Sequence, residues 1–150
     1  MKLTDHFSLE ELTRSVTAAK KGISNAPDEV IKRHLKELAE KILEPLRVAW
    51  GSAIVVTSGY RSPKLNAAVG GSKTSAHTHG YAADIRPANG DISGFKRFVM
   101  RWLKEEHIAY DQFIDEWSGG SQWVHIAVRN GKGGQRRKNL LYKGGKYSYI

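Results

Sequence analysis

His77, His79 and Asp84 stand close together in Ser75-Ala76-His77-Thr78-His79-Gly80-Tyr81-Ala82-Ala83-Asp84, a segment dense with small residues. A third imidazole, His125, falls in Trp123-Val124-His125-Ile126-Ala127-Val128, whose apolar alternation predicts a strand. Two imidazoles and one carboxylate can hold a tetrahedral zinc and leave its fourth position open, which is the catalytic form of such a site. A structural site needs a fourth protein ligand, most often Cys, and the chain has none. Spacing alone does not choose between His77 and His79. Asp84 sits among small apolar residues, where burial of an unpaired carboxylate is costly, so a metal partner accounts for it better than a loop cap does.

A general base must lie near that metal, and the predicted hairpin nominates one. Residues Tyr110 to Trp117 and Gln122 to Val128 read as two strands joined through Ser118-Gly119-Gly120-Ser121. If Trp117 pairs with Gln122, then Glu116 faces Trp123 and Ile114 faces His125. The strand period of two then places Ile114, Glu116, Trp123 and His125 on one face and Asp115 on the other. A slip of one residue would hand the role to Asp115.

The elements that must position these groups are legible around them. Ser8 followed by Leu9-Glu10-Glu11-Leu12 predicts a capped short helix with Phe7 as its hydrophobic staple. From Pro27 to about Trp50, Val30, Ile31, Leu35, Leu38, Ala39, Ile42 and Leu43 form one apolar face of a long helix that Pro45 kinks or divides. His34 is expected on its exposed face. Ala53 to Thr57 reads as a buried strand, Ser62-Pro63 opens a short helix ending at Gly70-Gly71, and Ala82 to Arg86 is a strand carrying Asp84. Residues 72 to 81 read as loop, and Ile92 to Glu106 as an amphipathic helix. Helices and antiparallel strands in separate blocks predict an α+β fold with a small antiparallel sheet and flanking helices.

The residues Ser75, His77, Gly80, Ala82 and Asp84, with Trp-Val-His in a late strand, form a pattern that resembles the zinc D-Ala-D-Ala carboxypeptidases and murein endopeptidases. Thr57-Ser58-Gly59-Tyr60-Arg61-Ser62, Leu65-Asn66, Gly70-Gly71-Ser72 and Asp111-Gln112-Phe113-Ile114 extend the resemblance over roughly residues 5 to 128. It implies a hedgehog/DD-peptidase-like fold and one Zn²⁺ per chain on His77, Asp84 and His125, with His79 left outside the ligand set. It also implies Arg61 facing the cleft, as a carboxylate clamp or oxyanion donor, and Ser75 binding substrate or orienting a ligand. Many members carry an acid where this chain has Gln122; others resemble it in carrying the acid at the position of Glu116. The implied substrates are the peptides of bacterial peptidoglycan, and the implied setting is a phage-type endolysin.

At 150 residues and a net charge of +9, the chain is expected to be one domain with a polyanionic partner. Much of the excess follows the motifs, from Arg129 to Lys146, past the last acidic residue Glu116, so residues 129 to 150 read as a basic tail. The first residues are too polar for a secretory signal, and no apolar run reaches the roughly 18 residues of a membrane span. A monomer made in the cytoplasm and released onto the cell wall is the expectation. The competing class is a non-catalytic basic binder of nucleic acid or cell wall, which leaves the coincidence of His77, Asp84, His125 and Glu116 unexplained.

Overall fold

The structure, a computed structural model, describes residues 1–150. Ser8 caps α1 (Leu9–Thr13) in a reciprocal capping box with Glu11, as the sequence predicts. A second short helix follows, α2 (Val16–Lys21), which the sequence reading did not separate. The helix expected from Pro27 starts two residues later: Asp28 caps α3 (Glu29–Leu38) by accepting from the Ile31 amide at 2.8 Å. Pro45 does divide the long apolar helix. Its ring would collide with a carbonyl one turn back, and the chain widens into a π turn over Ala39–Leu43 before α4 (Glu44–Trp50) resumes.

Strand β1 (Ile54–Ser58) leads to α5 (Pro63–Ala68), capped by Ser62, and then to β2 (Ala82–Pro87), α6 (Ile92–Glu105), β3 (Gln112–Ser118) and β4 (Ser121–Ala127). Residues Ala76–His79, expected as loop, form one 3₁₀ turn whose cap is the Ser75 hydroxyl. The segment expected as a basic tail contains two further strands, β5 (Lys138–Lys143) and β6 (Lys146–Tyr149).

The six strands lie in the order β1-β2-β4-β3-β5-β6. The fold is α+β, but the sheet is mixed: β3 and β5 run parallel, and every other pair is antiparallel. The parallel pair arises because β4 ends beside the start of β3, and the connection through residues 128–137 returns the chain to that same end. Two ion pairs to distant carboxylates fasten this connection, Arg129 to Glu37 and Arg136 to Asp111. A two-residue turn, Gly144-Gly145, joins β5 to β6 with both φ positive at 61° and 75°, the turn whose twist suits a tight hairpin.

One face of the sheet carries the core. Ile85, Phe113, Val124 and Ile126 pack there against Leu35, Leu38, Ile42, Phe95 and Val99 in a cluster of 22 buried residues. The other face has no helix layer over its centre and is left to the loops and to the chemistry.

Candidate active site

The hairpin pairs in the predicted register: Trp117 opposite Gln122, Glu116 opposite Trp123, and Ile114 opposite His125. Asp84 on β2 pairs with His125 on β4 in turn. Three neighbouring strands thus present Asp84, His125 and Glu116 on one face, while Asp115 turns toward the helices. There Asp115 meets the buried ammonium of Lys96, which also donates to Gln122 Oε1 at 2.8 Å and lies 4.4 Å from the Trp117 ring centre. Gln122 therefore belongs to the face opposite His125.

His77 arrives from the 3₁₀ turn. The Arg61 amide donates to the His77 carbonyl at 3.1 Å, and His77 Nδ1 donates to the Gly59 carbonyl at 2.7 Å, so two loops hold each other. A carbonyl can only accept, which fixes the His77 proton on Nδ1 and leaves Nε2 of the neutral ring bare. That bare nitrogen lies 3.2 Å from Asp84 Oδ1. His125 Nδ1 reaches the same oxygen at 3.1 Å, and its Nε2 is buried without a protein partner. Ligand atoms of His77, Asp84 and His125 all lie within 4.8 Å of one another. A lone pair facing a carboxylate oxygen is repulsive unless a cation stands between them. The set fits a divalent metal that takes imidazole nitrogen and carboxylate oxygen, and it fits zinc by donor type.

The electrostatics agree with that arrangement. Burial by itself would raise the Asp84 carboxyl, but positive charge on the His77 and His125 side prevails and holds it well below the usual carboxylate range, a part that falls to a bound cation when both rings are neutral. Glu116 shows the opposite balance. Burial and the nearby Asp84 charge push its carboxyl up to about 7, against the pull of His125 and Arg61. Its Oε1 lies 4.0 Å from His125 Nδ1. A carboxyl that titrates near neutrality beside a candidate metal is suited to moving protons.

Arg61 is held on three sides. Nε donates to Ser58 Oγ at 3.3 Å, Nη1 to Asn66 Oδ1 at 2.9 Å, and Nη2 lies 3.9 Å from Asp84 Oδ2. Gly71 makes room for this arrangement, because a Cβ there would stand 2.1 Å from Asn66 Oδ1 and 2.7 Å from Arg61 Nη1. Ser75 borders the same cleft, and its Oγ accepts from the His77 amide at 3.2 Å.

His79 is not among the converging groups. Its carbonyl accepts from His34 Nδ1 at 2.6 Å, and its ring packs against Gly131. His34, expected on an exposed helix face, is half-buried and stacks on Tyr81 with ring centres 4.1 Å apart. Sequence reasoning missed Tyr142 and Tyr147, which border the cleft from β5 and β6. Gly144-Gly145 between tyrosine-bearing segments is the hairpin signal that would have found them.

A family model described as Peptidase M15 matches residues 5–127, a span that holds every converging group above. No curated protein matches the chain.

Proposed function

The chain belongs to the peptidase M15 family, and from that premise we propose that it is a zinc-dependent peptidase hydrolysing peptide bonds of bacterial peptidoglycan. His77, Asp84 and His125 hold one zinc per chain, Glu116 is the general base, and Arg61 and Ser75 meet the substrate. The observation that carries this reading is the meeting of His77 Nε2 and His125 Nδ1 on one Asp84 oxygen, with Glu116 on the same face.

Zinc, when bound, supplies Lewis acidity toward the scissile carbonyl and lowers the pKa of a bound water toward about 7. The chain supplies the rest. Glu116 accepts a proton from the attacking water and returns it to the leaving amine, and its burial, which raises the carboxyl, favours holding that proton between the two transfers. Arg61, already fixed by Ser58 and Asn66, donates its remaining N–H groups to the oxygen on which negative charge develops. Ser75 fixes the turn that carries His77 and offers its hydroxyl to the cleft.

Peptidoglycan is the proposed substrate because the motif resemblance points to wall peptidases, and because a net charge of +9 suits an anionic wall. An endolysin-type role, with release onto the wall by another protein, belongs to the same reading. Incubating purified muropeptides with the zinc-loaded protein tests it by mass spectrometry. A pair of new fragments whose masses sum to that of the parent plus one water identifies the bond, and an unchanged spectrum at full zinc occupancy contradicts the reading.

A further inference from the structure

Asp84 is not at the blind end of a pocket. Asp84 and Arg61 border two clefts, one over the open side of the sheet and one at its β1 edge, which adjoin each other at these two residues. The first, of about 440 Å³, extends toward β5 and β6, with Trp123, Tyr142 and Tyr147 along it. The second, of about 420 Å³, extends toward the β1 edge between the start of α2 and α5, with Val16, Leu65 and Val69 along it. Each alone is of ligand-site size, which spans roughly 300–1,000 Å³.

The far wall of the first cleft comes from residues beyond the family-matched span. Tyr142 pairs with Glu116 across β5 and β3, and Tyr147 pairs with Tyr142 across β6 and β5, their rings 4.6 Å apart. A cross-strand row Trp123-Glu116-Tyr142-Tyr147 therefore continues outward from the proposed base. Tyr147 is 62% exposed, an amphipathic ring at the cleft's rim beside Tyr142.

A peptidase that removes one terminal residue must stop the substrate's free carboxylate against a cation beside the reacting carbonyl. The arginines of the first cleft are engaged otherwise. Arg136 is bidentate to Asp111, at 2.8 Å and 2.9 Å, and that carboxylate is 1% exposed. Arg61 has a protein partner at Nε and Nη1 and the Asp84 carboxylate beside Nη2, so the fork left over suits a carbonyl oxygen better than a bidentate carboxylate. Arg14 is exposed at the border of the second cleft, on the α1–α2 connection.

We infer that the protein is an endopeptidase: its substrate lies across the sheet through both clefts, and the bond at their junction is internal to a longer peptide. The inference rests on the peptidase reading above and narrows its substrate class. One water is consumed, the C–N bond breaks, the hydroxyl goes to the acyl carbon and the hydrogen to the amine. Both new termini arise within the former chain.

The test uses zinc-loaded protein and two pairs of substrates, a crosslinked muropeptide dimer and a synthetic linear stem peptide, each with C-terminal carboxylates or carboxamides. Amidation is expected to change kcat/KM by less than about threefold, and both products should carry more than one residue. On the dimer, Tyr147→Ala should raise KM by about tenfold while kcat and zinc content hold within about twofold, the signature of lost uniform binding. Release of one C-terminal residue, or loss of hydrolysis on amidation while the free acid is cut, overturns the inference and leaves a carboxypeptidase. An unchanged KM in Tyr147→Ala overturns the assigned path through the first cleft. No hydrolysis of any of these substrates at full zinc occupancy overturns the peptidase reading together with the inference.

Discussion

Ile85, Val124, Ile126 and Phe113 turn to the helices and are fully buried, whereas Asp84, His125 and Glu116 on the same three strands turn to the open side and carry ionisable groups. The two faces share every strand and differ only in which alternate residue is counted. Asp115 and Glu116 make the contrast sharpest. Both carboxylates are partly shielded, but Asp115 faces the ammonium of Lys96 and forms an ion pair with it. Glu116 faces the burial and negative charge around Asp84, and its carboxyl rises to about 7. Adjacent residues thus acquire different chemistry from the side of the sheet they occupy, and register decides which one can act as a base.

Emptying the open face should have the largest effect. His77→Ala, Asp84→Ala or His125→Ala should each remove most of the bound zinc, read by elemental analysis. Hydrolysis should fall by about 10³ or more, since a Lewis acid supplies several kcal/mol. Full zinc in all three variants would erase the distinction between the faces.

Arg61→Lys is next. An ammonium cannot serve Ser58, Asn66 and an oxyanion together, so kcat/KM should fall roughly 10- to 10²-fold with zinc retained. Gly71→Ala should shift activity the same way without touching the guanidinium chemically, because its Cβ displaces the Asn66 and Arg61 side chains. Kinetics equal to the parent in both variants would place Arg61 outside the reaction.

On the helix side the expected effect is on stability. Asp115→Asn leaves the Lys96 ammonium without its carboxylate and should lower unfolding free energy by about 1–3 kcal/mol in urea titration. The smallest effect is expected of His79→Ala, which should keep zinc and activity at parental levels. Loss of zinc there would bring a third imidazole into the ligand set.

Much of the open face could be read from the chain because the signals are local. The small residues around His77 and Asp84 leave room for convergence, and the Ser118–Ser121 turn with its flanking alternation sets the pairing of Glu116 with Trp123. The β5–β6 hairpin was not read, for a physical reason. Arg129 and Arg136 look like unpaired tail charge until their partners Glu37 and Asp111 are brought across the fold. The parallel pairing of β5 with β3 likewise depends on a non-local return that no neighbouring residue announces. His34 was misplaced because its burial comes from Tyr81, on a segment far along the chain. The π turn before Pro45 is a local strain that periodicity alone does not resolve.

The claim that the open face carries the catalytic base is tested most directly by kcat/KM of zinc-loaded Glu116→Gln beside Asp115→Asn, across pH. Burial raises the Glu116 pKa, and a base acts when ionised, so parental activity should be present above that pKa and fall as pH drops through it. Zinc's positive charge sets this limb at or below about 7. Glu116→Gln should retain zinc, lose roughly 10²- to 10⁴-fold in kcat/KM and lose the acidic limb with it, while Asp115→Asn keeps both. An unchanged rate and pH profile in Glu116→Gln, with hydrolysis abolished in Asp115→Asn, would contradict the account and move the base to the other face of the sheet.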